Sequence, residues 1–208
     1  MPVLSHILEH KIIAILRGAD PSDVLKIASA LYDGGVRVLE VTFNSPRAME
    51  IVHELAVKKG DQMLVGMGTV LDATTARNAI EKGARFIVSP SFDSETIKET
   101  KKHGAISIPG AFTPTEIVNA FNCGGDIIKV FPASGNVNYI REIRAPLSHI
   151  PLMPTGGINL ENIGEFLNVG AVAFGIGTAL VNTKEKMTEE SLEKIKVMAE
   201  LFTKAVRL

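Results

Sequence analysis

The sequence predicts an α/β fold: a single (β/α)8 TIM barrel with an extra N-terminal helix, residues 1–208 forming one domain. Three observations predict it. Short apolar stretches alternate with longer amphipathic ones along the whole chain, eight of each, the pattern of repeated βα units. The short stretches are nearly continuous in apolar residues, as strands buried on both faces of a parallel sheet are. The length of 208 residues suits one sizeable core and is short for two.

The elements follow in order. Ser5 to Lys11 reads as the extra helix, and Ile12 to Arg17 as the first strand. Asp20-Pro21 offers an N-cap with proline at the first helical position, for a helix that Gly34-Gly35 ends. Val36 to Thr42 is the second strand; Ser45-Pro46 caps a helix that stops near Gly60. Met63 to Gly68 and Arg85 to Pro90 are the third and fourth strands, with helices from Asp72 to Gly83 and on to Gly104. Ala105 to Pro109 is the fifth strand, and Thr113-Pro114 caps its helix. The sixth, Asp126 to Phe131, carries Lys129 and is stopped by Pro132. A short helix spans Tyr139 to Arg144; the seventh strand, Ile150 to Pro154, is weakened by Pro151. Asn159 caps the next helix, Ala171 to Ile176 is the eighth strand, and the last helix runs from Thr188 to Val206. An open doubly wound sheet is the alternative, but Gly66-Met67-Gly68 lacks the third glycine of a dinucleotide fingerprint.

Composition narrows the function. Twenty-two basic and 23 acidic residues leave a formal charge of −1, which gives no footprint for nucleic acid and no polybasic surface for a membrane. No apolar run reaches the ~20 residues of a spanning helix. Cys123 is the single cysteine and cannot form an internal disulfide. The N-terminus has neither the charged nor the apolar region of a signal peptide, so a cytoplasmic protein is expected. The five histidines show no metal-ligand spacing. Met63 and Met67 read as core filling, and Cys123 as a small buried hydrophobe.

In such a barrel the reacting groups come from the C-terminal ends of strands. Arg17, Glu40, Thr69, Lys129, Thr155 and Thr178 fall there or just beyond. Alternation along a strand puts Ile127 and Lys129 on one face and Ile128 on the other. By the same count Val38, Glu40 and Thr42 share a face, as do Ile13, Ile15 and Arg17. Strands two and six lie opposite each other in an eight-strand ring, which sets Glu40 across from Lys129. A desolvated amine can attack a ketone and form an imine. A carboxylate can move protons, and an arginine can grip a carboxylate with two hydrogen bonds. The bland reading is a buried ion pair that only closes the barrel. Burial and Arg17 lower the lysine pKa while Glu40 raises it; the sequence does not say which is larger. Gly156-Gly157 and Gly177-Thr178, after the seventh and eighth strands, expose backbone N–H groups where barrels commonly hold phosphate. Their plainer role is as turn glycines.

The motifs Ile15-Leu16-Arg17-Gly18, Gly34 to Thr42, Gly66-Met67-Gly68-Thr69-Val70, Ser89-Pro90, Ile108-Pro109-Gly110, Lys129-Val130-Phe131-Pro132-Ala133 and Pro154-Thr155-Gly156-Gly157-Ile158 occur in this order. With them the chain resembles the family of 2-keto-3-deoxy-6-phosphogluconate (KDPG) and 4-hydroxy-2-oxoglutarate (KHG) aldolases over nearly its whole length. The resemblance implies a class I, Schiff-base aldolase of the Entner–Doudoroff type, needing neither metal nor cofactor and assembling as a homotrimer. It implies Lys129 as the imine-forming lysine and Glu40 as the general acid/base. Thr69 and Arg17 are implied at the substrate carboxylate, and Gly156, Gly157, Gly177 and Thr178 at the phosphate. Pro109, Phe131 and Thr155 lie within matched motifs and are expected to contact substrate. Two positions depart from the pattern: Asn44 stands where some members have arginine, and Ser134 where others have an acidic residue. Two rival readings remain, a phosphosugar isomerase or epimerase with Glu40 as base, and a non-catalytic phosphometabolite-binding barrel.

Overall fold

The computed structural model describes residues 2–207. In chain order the elements are α1 (Val3–His10), β1 (Ile12–Leu16), α2 (Val24–Asp33), β2 (Val38–Thr42), α3 (Ala48–Lys59), β3 (Leu64–Gly68), α4 (Ala73–Glu81), β4 (Phe86–Val88) and α5 (Ser94–Lys102). They continue as β5 (Ile106–Ile108), β6 (Gly110–Ala111), α6 (Pro114–Asn122), β7 (Ile128–Val130), α7 (Val137–Arg144), β8 (Leu152–Pro154), α8 (Ile163–Asn168), β9 (Phe174–Ile176) and α9 (Glu189–Ala205).

Six strands pair in the order β5-β4-β3-β2-β1-β9, and three in the order β6-β7-β8. All the pairings are parallel. The expected closed eight-stranded barrel is therefore not what forms. The molecule has a six-stranded half-barrel sheet and a second, small sheet. Proline accounts for both seams. Pro109 has no N–H to give a ladder, so the expected fifth strand divides there. Its first part pairs with β4 and its second with β7. At the other seam β8 ends on Pro154, and a single isolated bridge, Thr155 to Gly175, reaches β9.

Alternation along the strands sorts the core into two layers. Outward side chains such as Ala14, Leu39, Val41, Ile128 and Val130 pack beneath the helices in the larger cluster. Inward ones, among them Ile13, Val38, Phe86, Val88, Ile127 and Met153, form a second cluster that Ile7 of α1 joins. The extra helix thus stoppers the end at which the strands begin. Toward the strand C-termini the buried side chains become polar, with Glu40, Thr42, Lys129 and Thr155.

Three expected helix starts move. Asp20 accepts from the Ser22 N–H at 2.9 Å in a local turn, and α2 begins only after Asp23. Ser45 does not cap α3, whose N-cap residue is Arg47. Asn159 accepts from the N–H groups of Glu161 and Asn162 at 2.9 and 3.1 Å, and the short α8 starts after Asn162. The glycine loop after β8 is therefore separated from that helix, and its anion-binding capacity rests on loop N–H groups rather than on a helix dipole.

Candidate active site

Glu40 sits inside the large sheet, in register with Ile15 on one side and Gly66 on the other. Its side chain lies against Gly68, where an added Cβ would come within 1.7 Å of Glu40 Oε1. Only glycine leaves that space. Glu40 is 1% exposed, and among the described residues neither carboxylate oxygen has a hydrogen-bond partner. Burial raises its pKa; the charges of Lys129 and Arg17 pull it down but do not prevail.

Lys129 belongs to the small sheet, in register with Gly110 and Met153, and is 4% exposed. Loss of solvent lowers its pKa, against the raising effect of Glu40 and with the lowering effect of Arg17. Desolvation is thus the larger influence on both groups. The Lys129 Nζ lies 4.9 Å from the centroid of the Phe131 ring, within cation–π range. Its strand is anchored from below by Asp126. Both Asp126 oxygens accept from Lys101 Nζ, at 2.6 and 2.7 Å, and one accepts from the Ser107 N–H at 2.8 Å. The Pro109 carbonyl accepts the Lys129 N–H at 2.9 Å.

A cavity of about 660 Å³ opens beside these groups. Arg17, Phe131, Thr155, Gly156, Gly157, Gly177 and Thr178 line it, seven of the residues expected from sequence. Glu40, Lys129, Thr69 and Pro109 are not on its wall. Glu40 adjoins the wall residue Ile15 across the ladder, and Lys129 adjoins the wall residue Phe131 through its amine. Thr155 Oγ1, on the cavity wall, is buried and has no hydrogen-bond partner among the described residues. Thr69 follows β3 with φ +57°, a left-handed conformation that a β-branched residue adopts at a cost of about 1–3 kcal/mol. Such strain is concentrated at functional positions. Gly156 and Gly157 also have positive φ, and a Cβ on Gly157 would lie 2.7 Å from the Gly135 nitrogen. The loop after β8 is packed tightly against the turn that follows β7.

Some residues of the site were not foreseen. Ser45, which looked like a helix cap, instead accepts from the Gly18 N–H at 2.8 Å and meets Thr42 Oγ1 at 2.9 Å, joining the ends of β1 and β2. Arg17 Nη1 reaches Asn44 Oδ1 at 3.5 Å. Asn159, Thr183 and Lys184 also line the cavity. No three His, Cys, Asp or Glu side chains are grouped to hold a metal among the described residues.

The chain was then compared with known proteins. A family model for KDPG and KHG aldolase matches residues 3–198. The chain is 32% identical over 198 residues to 2-dehydro-3-deoxy-6-phosphogalactonate aldolase of Escherichia coli K12, covering 94% of each chain. It is 36% identical over 147 residues to 2-dehydro-3-deoxy-phosphogluconate aldolase of Treponema pallidum, covering 70% of each. A crystal structure of KDPG aldolase from Legionella pneumophila, with pyruvate captured at low pH as a covalent carbinolamine intermediate, superposes with a TM-score of 0.81 at 28% identity, over 98% of this chain and 96% of that one. With a match that runs over nearly its whole length and relatives that align almost end to end, the chain belongs to the family of KDPG and KHG aldolases, which are lyases.

Proposed function

We propose that this enzyme cleaves 2-keto-3-deoxy-6-phosphogluconate to pyruvate and glyceraldehyde 3-phosphate, and also cleaves 4-hydroxy-2-oxoglutarate to pyruvate and glyoxylate. The observation that carries this reading is the buried Lys129, whose amine is shifted toward its neutral, nucleophilic form by desolvation. The carbinolamine trapped from pyruvate in the Legionella pneumophila relative supports it. The isomerase and pure binding readings are not favoured, because the matched relatives are aldolases.

Lys129 adds to the C2 ketone, forming the C–N bond, and the carbinolamine loses water to give a protonated imine. Glu40, acting through a water, takes the C4 hydroxyl proton. The electrons of the C3–C4 bond flow into the imine and the aldehyde fragment departs. The enamine takes a proton at C3, and water hydrolyses the imine to free pyruvate and the amine. In this scheme Arg17 and Thr69 hold the carboxylate, while the N–H groups of Gly156, Gly157 and Gly177, with Thr178, receive the phosphate. Pro109, Phe131 and Thr155 shape the pocket around the imine.

Residues 1–208 act as one domain. We assign a homotrimer and a cytoplasmic setting. Phe43, Leu71 and Phe112, which follow β2, β3 and β6, are large exposed hydrophobics of the kind a subunit contact covers. Among the described residues no helix is long and apolar enough to cross a membrane.

Borohydride reduction in the presence of pyruvate, read by intact-mass spectrometry, tests the mechanism. The wild type gains one reduced pyruvyl adduct and Lys129→Ala gains none. An adduct that persists in Lys129→Ala would overturn the assignment.

A further inference from the structure

Among the described residues the wall of the cavity carries two cationic side chains, Arg17 and Lys184, and no Asp or Glu. Lys184 lies in the loop after β9, beyond Gly177 and Thr178. Three contacts bear on its placement. Thr183 Oγ1 donates to the Arg17 carbonyl at 2.5 Å, tying this loop to the end of β1 across 166 residues of sequence. The Lys184 N–H donates to Asn182 Oδ1 at 3.3 Å. Asn182 Nδ2 donates to Glu185 Oε1 at 2.7 Å, so the neighbouring carboxylate is held by an amide.

Among the described residues no carboxylate lies within 4.0 Å of the Lys184 amine, whereas Lys101, Lys58 and Lys194 are each paired. Lys184 also borders a second cavity of about 320 Å³ that contains Asp20 and Asp23. Asp20 is engaged by Ser22, and Asp23 by Lys26 at 3.2 Å. Each acid near the loop is hydrogen-bonded elsewhere, and the exposed Lys184 stands on the wall of a cavity whose glycine loops present N–H donors.

We propose that Lys184 is the side chain that selects for a phosphorylated substrate, and that Thr183 is the positioning residue that holds its loop over the cavity. Backbone N–H groups supply directed hydrogen bonds but only partial charge, whereas a phosphate brings close to two negative charges. An exposed ammonium on the cavity wall supplies the further countercharge without restricting the shape of the sugar acid. A substrate that lacks phosphate does not use it. This inference rests on the aldolase reading of the site.

The test compares kcat/KM for KDPG with kcat/KM for KHG in the wild type, Lys184→Ala, Lys184→Arg and Thr183→Val. In Lys184→Ala the KDPG-to-KHG ratio falls roughly fivefold to tenfold, the range expected for one exposed charge-assisted contact. The fall is expressed in KM, and Lys184→Arg recovers most of it. Thr183→Val lowers the ratio in the same direction. A ratio that stays put in Lys184→Ala, or one that falls equally in Lys184→Arg, overturns the proposal. If the wild type releases pyruvate from neither substrate, the aldolase reading fails, and the proposal is judged by binding alone. Inorganic phosphate then raises the Tm of the wild type more than that of Lys184→Ala, and equal shifts overturn it.

Discussion

Opposite charges in a protein interior ordinarily rescue one another, yet Glu40 and Lys129 do so only in part. Each is displaced toward its neutral form, because the loss of water outweighs the pull of the partner. That leaves an amine able to attack and a carboxyl able to exchange protons. Glu40→Gln removes the proton exchange and spares the amine. We expect kcat for pyruvate release to fall about 10²–10⁴-fold in an assay coupled to pyruvate reduction, with the borohydride adduct still formed; an undiminished kcat would remove Glu40 from the mechanism. At this scale Lys129 was legible in sequence because it is an ammonium set among Ile127, Ile128, Val130 and Phe131. The outcome of the competition on its pKa was not, since it depends on how far water is excluded by residues distant in sequence. Asp126 was equally hidden: it reads as the first residue of the sixth strand, but it precedes β7 and is clamped by Lys101 and the Ser107 N–H.

Three prolines follow a potential capping residue, at Asp20-Pro21, Ser45-Pro46 and Thr113-Pro114, yet only the last of these begins a helix where expected. The difference lies three residues past the cap. Thr113 is answered by Glu116, whose carboxylate accepts the Thr113 N–H at 2.7 Å while Thr113 accepts the Glu116 N–H at 3.4 Å. Asp20 and Ser45 face Asp23 and Ala48 at that position, which return no such bond, and both side chains find other partners. A reciprocal pair is thus the more reliable signal than a cap with proline alone. Thr113→Ala is expected to cost about 1 kcal/mol in urea unfolding; a change below ~0.3 kcal/mol would mean that this cap contributes little. The divided fifth strand carries a similar lesson. Pro109 was visible in the sequence, but it read as the end of one strand because a β6 of two residues, Gly110 and Ala111, has too little pattern to declare itself.

The whole molecule tolerates two only partly compensated ionisable groups in its interior, and that tolerance has a sign. The folded pKa of Glu40 lies above its ordinary value of 4.5. Its contribution to stability is present below 4.5 and is lost as pH rises through the folded value. The folded pKa of Lys129 lies below its ordinary 10.5, so its contribution is present above 10.5 and is lost as pH falls through the folded value. At a pH between the two ordinary values, burial of both groups costs stability. The double variant Glu40→Gln/Lys129→Met is therefore expected to be inactive and more stable than wild type by roughly 1–4 kcal/mol in urea unfolding at neutral pH. A double variant less stable than wild type would show instead that the pair holds the fold together. The order of strands and helices was legible from the alternation of short and long segments. Closure was not, because hydrogen bonding between β8 and β9, or across Pro109, is decided where chain segments meet and leaves no local period in the sequence.

Lys129 stands on the three-stranded sheet and Glu40 on the six-stranded one. No continuous ladder fixes their separation: one seam is crossed by the Pro109 peptide and the bond from the Asp126 N–H to the Ser107 carbonyl, the other by the single Thr155–Gly175 bridge and the bond from the Val172 N–H to the Leu152 carbonyl. The amine and the carboxyl behave like tools mounted on separate plates, so a substitution in the seam can retune the gap between them without disturbing either mounting. In a lineage whose members act on different sugar acids, such an adjustable joint would let the reaction chamber be resized while the chemistry stays in place.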